Sequence, residues 1–334
     1  MNVRERFHNI MSFKPVDRMP VVEWACWWDE TIEAWEKDGL VMPQPKDGLN
    51  AGDVLKRDYF GLELMPDLHA EITGPDAPKP AEFGGPLIAS LEEYEQIKPT
   101  LYPEHPFDPE TLKAYAELQA KGELVFRLVL DGFFWGPRVL LGIMPHLYAF
   151  YEDPELLHAI NKDLAEYNIR VFNEVCEYFV PDFISMSEDM SYNNGPMISE
   201  DMFDEFMLPY YEQILPVMKA KGSRIFIDSD GDVARAIPWF IKAGIEGVLP
   251  LERQAGVDLV ELRKEFPEFL FLGAFDKMVM PKGEEAMRAE FERLLPVMKT
   301  GGFLLCVDHQ TPPSVSLENY QIYLRLLREY AEKV

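Results

Sequence analysis

Cysteine is scarce in this chain: Cys26, Cys176 and Cys306 are the three in 334 residues, and they lie far apart. An odd, sparse set does not make a disulfide framework, so reduced thiols and a cytoplasmic setting are expected. Long apolar runs are also missing. No stretch of about 18 apolar residues occurs, so no membrane-spanning helix is expected. The opening residues, Met1-Asn-Val-Arg-Glu-Arg-Phe7, lack the apolar run a signal peptide needs. Positive charge is short: 32 Lys and Arg face 58 Asp and Glu, for a formal charge of −26. Nucleic-acid binding needs a basic surface and is therefore not expected. A polyanionic substrate would be repelled at long range unless a local arginine cluster overcame the field. No Gly-x-Gly-x-x-Gly follows a first strand and no Walker-type loop occurs, so nucleotide binding has no support. Low-complexity segments and repeats beyond a βα unit are absent.

What the chain does have is a set of short apolar runs that end on acids. Leu124–Leu130 ends at Asp131, and Phe183–Ser187 ends at Glu188-Asp189. Ile225–Ile227 ends at Asp228-Ser229-Asp230-Gly231-Asp232, and Val248–Leu251 ends at Glu252. Phe269–Phe275 ends at Asp276, and Phe303–Val307 ends at Asp308-His309. Pro20–Trp28, ending at Asp29-Glu30, is a weaker seventh. Helical patterns lie between them, over Pro109–Lys121, Pro154–Tyr178, Ser199–Lys221, Asp232–Ala243, Asp258–Phe266, Lys282–Lys299 and Leu317–Glu332. Ala243-Gly244 and Thr300-Gly301-Gly302 close two of them, as helix C-termini favour glycine.

Alternating strands and amphipathic helices imply parallel βαβ units. The fold class expected is α/β: one (β/α)8 TIM-type barrel over residues 1–334, with an N-terminal helix and loop extension. Residues 1–100 read as irregular and residues 101–334 as regular. Val3–Phe13 reads as a helix, while Pro43–Asp47 and Gly74–Pro86 read as loops. The segments Leu62–Ala70 and Pro86–Ile97 read as an excursion over the barrel mouth. Active sites of such barrels gather at the carboxyl ends of the strands, so the row of acids marks the rim to search.

Asp228 and Asp230 stand two apart at a strand end, so both face one side. They read as metal ligands or an acid/base pair; Asp230 or Asp232 could equally cap the next helix. His309 follows Asp308, a carboxylate able to orient an imidazole. One of Glu188 and Asp189 should face the mouth, and Glu188 is taken as the candidate. Phe133, Phe134 and Trp135 could wall an apolar or aromatic substrate, with Arg138 meeting a carboxylate. Trp24, Trp27 and Trp28 invite the same reading, as does Tyr192. Asp276 with Lys277 reads as a substrate contact or a salt-linked strand end. Glu252 reads as an ion pair, a cap or a catalytic group. Cys306 reads as a core thiol.

These motifs resemble the uroporphyrinogen decarboxylase superfamily, which includes cobalamin-dependent methyltransferases. The resemblance is carried by Asp228-Ser-Asp-Gly-Asp232, by Ala243-Gly-Ile-Glu-Gly-Val-Leu-Pro-Leu-Glu252, by Cys306-Val-Asp-His-Gln-Thr-Pro-Pro-Ser-Val-Ser-Leu-Glu-Asn319 and by the opening Pro15-Val-Asp-Arg-Met-Pro20. It implies a TIM-type barrel. True uroporphyrinogen decarboxylases carry Arg-Gln-Ala-Gly-Arg near the N-terminus; here Trp24-Ala-Cys-Trp-Trp28 stands in that region without an arginine pair. The methyltransferase branch holds zinc with a His-x-Cys pair and a later Cys. Carried onto this chain, those positions fall on Asp228, Asp230 and His309, so sulfur is replaced by oxygen and nitrogen. Such a set suits zinc or a harder divalent ion.

The resemblance thus implies a methyltransferase. It would move a methyl group between a small substrate, such as a methoxylated aromatic, and a corrinoid on a partner protein. Asp228, Asp230 and His309, with Glu188, would be its catalytic or metal residues. Two alternatives stay open: a metal-independent decarboxylase of small carboxylic acids, and a non-catalytic binder of a small ligand. Oligomeric state also stays open, a homodimer being one option.

Overall fold

The computed structural model describes residues 1–80 and 84–334. The middle of the expected loop Gly74–Pro86 lies outside the described residues. Among the described residues nine strands are formed: β1 (Asp67–Ala70), β2 (Arg127–Asp131), β3 (Phe183–Ser187), β4 (Ser191–Tyr192), β5 (Gly195–Pro196), β6 (Arg224–Asp228), β7 (Gly247–Leu249), β8 (Leu270–Phe275) and β9 (Phe303–Val307). Seven of them make one parallel sheet in the order β1-β2-β3-β6-β7-β8-β9, while β4 and β5 form a small antiparallel hairpin. Helices intervene between successive strands of the large sheet, so the connections are those of a TIM barrel.

The expected strand Pro20–Trp28 is an irregular extended run rather than a ladder strand, yet it fills the eighth position. Glu63 N, just before β1, donates to Val21 O at 2.9 Å. On its other side Trp24 Nε1 donates to Val307 O at 2.8 Å, and Trp27 bridges Thr311 in parallel. The run thus joins the two edges of the sheet. Pro20 removes one ladder donor, and the bulky Trp24 and Trp27 take up the space of a neat pleat.

Two expectations are corrected here. Leu62–Ala70 is not an excursion over the mouth: it delivers β1, paired with β2 from Asp67↔Arg127 to Ala70↔Leu130. Pro86–Ile97 lies on the flank, where Leu87 N donates to Leu140 O at 2.7 Å and Tyr94 OH to Asp163 at 2.6 Å. The expected helix Ser199–Lys221 breaks at Met207 into Glu200–Phe206 and Leu208–Ala220, as Pro209 starts a new first turn. Asp232–Ala243 is helical from Ile237 only. Among the described residues, no helix is long and apolar enough to cross a membrane.

The helix Val3–Ile10 closes the amino-terminal end of the barrel. Asn2 and Glu5 form its capping box, and Phe7 stacks on Phe183 with ring centres 5.4 Å apart. Its anchor is Asp182, a fully buried carboxylate just before β3. That group accepts from Arg4 Nε at 2.6 Å, from Gln119 Nε2 at 2.9 Å and from Phe126 N at 2.9 Å, with His8 Nε2 at 2.7 Å. Burial alone would push its pKa up, but His8, Arg4 and the Phe126 amide outweigh it and hold it below the usual carboxylate range.

Asp182→Ala is expected to lower unfolding free energy by roughly 3 kcal/mol, because it strands buried donors. A depressed native pKa stabilises the fold above the unfolded value near 4, and that contribution is lost as pH falls through the native value. Urea unfolding of wild type and Asp182→Ala at several pH values checks this: the gap should narrow toward pH 2.

Candidate functional site

A cavity of about 750 Å³ opens at the carboxyl end of the barrel. The N-terminal run gives it Trp24, β1 gives Asp67 and His69, and β2 gives Arg127. Ser187 and Asp189 enter from the end of β3, Asp228 and Asp230 from the end of β6, and His309 from the loop after β9. Trp135 completes the wall. Ser187 and Asp228 close their strands, and Asp189 and Asp230 lie two residues on, in the loops that follow.

Asp228 is the last residue of β6, and its side chain keeps 21% of its surface toward the cavity. Among the described residues nothing donates a hydrogen bond to its carboxyl. The nearest cation is Arg127, with Nη1 3.9 Å from Asp228 Oδ2. Enclosure pushes the Asp228 pKa to about 7; Arg127 opposes, and Asp189 and Asp230 add to the rise. Asp189 is raised by the same causes, burial first and the Asp230 charge next, although its Oδ1 accepts from Asp230 N at 3.2 Å.

His309 Nε2 lies 3.4 Å from Asp230 Oδ2, and this contact raises the imidazole pKa against the effect of burial. Glu252, beyond the end of β7, joins them: one ligand atom each from Asp230, Glu252 and His309 all lie within 4.8 Å of one another. Glu252 also lies 3.6 Å from Lys277 Nζ. Lys277 sits equally near Asp308, whose buried carboxyl accepts from the Arg253 and Lys277 amides. Asp308 thus ties two loops and faces away from the cavity.

Several expected residues are not brought here. Glu188 turns to the opposite side of its strand. Its carboxylate accepts from Phe133 N at 2.9 Å, Phe134 N at 2.7 Å, Trp135 N at 3.2 Å and the Tyr211 hydroxyl. It crowns the first turn of the helix Trp135–Leu141, where an anion is favoured. A Cβ on Gly132 would lie 2.2 Å from the Glu188 carboxyl carbon, so only glycine lets that group in. Asp276 caps the turn after β8 by accepting from Met278 N at 2.9 Å. Trp27 packs in an aromatic cluster with Trp35, Phe60 and Tyr320. Phe134 is buried against His146 and Phe150. Tyr192 stands exposed on the β4–β5 hairpin. Arg138 lies over the Trp135 ring at 4.9 Å and donates to Asp189 O at 3.1 Å, outside the cavity lining.

Sequence reasoning missed Arg127, Asp67, His69 and Ser187 as lining groups. Arg127 had a signal, being the one charge between Leu124 and Leu130. Asp67-Leu-His-Ala70 alternates polar and apolar, but four residues are too few to outweigh the loop-like surroundings.

Glu188→Ala should lower stability by roughly 2–5 kcal/mol, since it strands three amides and a buried hydroxyl, and chemical denaturation would measure it. Asp228→Asn should behave oppositely. A raised native pKa makes wild type lose stability as pH climbs from about 4 to about 7, so the variant should melt higher at pH 8, by roughly 2 °C or more, and nearly equal at pH 4. Equal melting temperatures at pH 8 would count against an enclosed, unpartnered Asp228.

No curated protein sequence matches the chain. Among solved structures, a methyltransferase from Methanosarcina mazei is similar over 99% of both chains, at 16% identity and a TM-score of 0.68. That likeness shows the shared barrel fold. A chitobiase from Flavobacterium johnsoniae is similar over 84% of this chain and 49% of its own, at 12% identity and a TM-score of 0.36. The family model described as uroporphyrinogen decarboxylase (URO-D) matches residues 78–330, from just before the helical flank through β9 and into the last helix. With so much of the barrel and its rim covered, the chain belongs to the uroporphyrinogen decarboxylase family.

Proposed function

We propose that this chain is a methyltransferase that moves a methyl group between a small substrate and a corrinoid held by a partner protein. The observation that carries the reading is the convergence of Asp230, Glu252 and His309 at the barrel mouth. Family membership and the shared fold with a methyltransferase support it. Two carboxylates and an imidazole suit zinc, Fe(II) or Mn(II). The surroundings fit a cation too. Asp189 and Asp228 line the same cavity as Asp230 and His309, whereas Lys277 is shared with buried Asp308. Glu252, rather than the expected Glu188, would complete the ligand set, and Asp228 would stand outside it.

A divalent ion there would polarise the atom that loses the methyl group. The chain's own groups would do the rest. The Trp24 and Trp135 indoles would wall a flat substrate, and Asp228, at the end of β6, would face the departing group. The wide mouth leaves room for a corrinoid protein to approach face-on.

Purified protein should carry about one divalent ion per chain by elemental analysis and should methylate cob(I)alamin from a methoxylated aromatic donor. His309→Ala should lose both by roughly tenfold to a hundredfold. A chain without metal and without transfer from any methyl donor would sink the reading. A second reading, metal-free decarboxylation, is favoured by Asp228 standing beside Arg127 without a hydrogen bond. Release of CO2 from a small acid, unchanged by chelators, would select it.

A further inference from the structure

One enclosed donor in the cavity, Arg127 Nη1, has no hydrogen-bond acceptor among the described residues. Arg127 opens β2, its side chain is 9% exposed, and its guanidinium lines the cavity. Nη1 is wholly enclosed and donates to nothing among the described residues. Nη2 lies 3.4 Å from Asp67 Oδ2, and Nη1 3.9 Å from Asp228 Oδ2; the second distance is too long for a hydrogen bond. The guanidinium carbon lies 5.2 Å from the centre of the Trp24 ring. Asp67, Asp228 and Trp24 therefore hold the head in place without using its inner donor.

That arrangement is costly unless something completes it. A buried donor left unmade costs about 1–3 kcal/mol, and more for a charged group. A guanidinium is a flat fork that matches a planar, two-oxygen anion. The neighbouring polar group on β1, His69, already gives Nε2 to Asp131 at 2.8 Å and cannot turn to serve Arg127. Every other polar group that β2 brings near the cavity is likewise engaged: Asp131 takes His69 and the Ile72 amide.

We propose that Arg127 is the anchor for the carboxylate of a small, flat substrate, received in the cavity against the Trp24 and Trp135 indoles. The proposal rests on the reading of this cavity as the substrate site of the methyltransferase and names the substrate class: a monocarboxylic acid, methoxylated aromatic acids included. Arg138, which sequence reasoning offered for this task, is committed to the Asp189 carbonyl and the Trp135 face.

The test uses the full chain and four probes: benzoate, 4-methoxybenzoate and the corresponding neutral amides. Binding is followed by calorimetry and by quenching of indole fluorescence, with and without chelator. Each acid should bind at least roughly tenfold tighter than its amide, which is the loss of one charged hydrogen bond. Arg127→Met should abolish that preference by weakening the acids and sparing the amides. Arg127→Lys, which keeps the charge without the fork, should restore it only in part. Chelator should leave the preference intact. Acids that bind no tighter than amides, failure of both acids to bind, or an unchanged preference in Arg127→Met would overturn the proposal. Should Arg127→Met fail to fold by thermal unfolding, an unchanged preference in Arg127→Lys overturns it instead. Acid preference without methyl transfer would sink the methyltransferase reading alone; methyl transfer indifferent to Arg127 would sink the anchor alone.

Discussion

Enclosing a carboxylate is the constraint around which this molecule is arranged. An ionised group taken out of water costs several kcal/mol unless hydrogen bonds and charges replace its hydration. Most buried acids here have such replacements. Glu188 has three amides and a tyrosine hydroxyl; Asp308 has two amides and Lys277. Asp182 has an arginine, a histidine, a glutamine and an amide. Glu23 has the Tyr323 hydroxyl at 2.9 Å and the Val307 amide at 3.3 Å. Each ties a strand to its neighbour or to a helix. Among the described residues, Asp228 stands outside this pattern, and Asp230 has only its contact with His309. Both face the cavity.

The same groups explain how an imperfect barrel closes. The N-terminal run cannot form a regular ladder, so its position next to β9 depends on side chains as well as backbone. Trp24 Nε1 reaches Val307 O, and Glu23 receives the Val307 amide from within the core. Burial pushes the Glu23 pKa to about 7, against the pull of Tyr323, Lys56 and the Val307 amide. Closure therefore sets Trp24 on the cavity wall beside Arg127, and the seam of the barrel becomes part of the site.

Strand ends were legible because an apolar run followed by an acid has one common meaning in a parallel barrel. That logic found Asp228, Asp230 and His309, which the fold does bring to one cavity. It failed where direction mattered. β3 ends at Ser187; past it Glu188 turns to the amides before the next helix, while Asp189, in a left-handed backbone conformation, enters the cavity. Phe134 and Trp135 divide in the same way: a helix starting at Trp135 leaves the indole at the mouth and sends Phe134 into the core. β1 was hidden because a four-residue strand, flanked by proline and glutamate, carries too little pattern to stand out.

The charges of the cavity are separated along its depth. Arg127 comes from the first residue of its strand, whereas Asp189, Asp228, Asp230 and Glu252 come from the last residues of theirs or from just beyond. Asp67 opens β1 at the level of Arg127 and lies 3.4 Å from it, so the floor holds an ion pair whose guanidinium reaches upward as far as Asp228, while the rim is acidic. A net charge of −26 disfavours any anion at long range, and more steeply as its charge grows. One enclosed guanidinium can offset a single carboxylate but not several. On the proposed reading, field and guanidinium together would favour a small, singly charged molecule that enters anionic end first and leaves its other end among the acids and the imidazole of the rim.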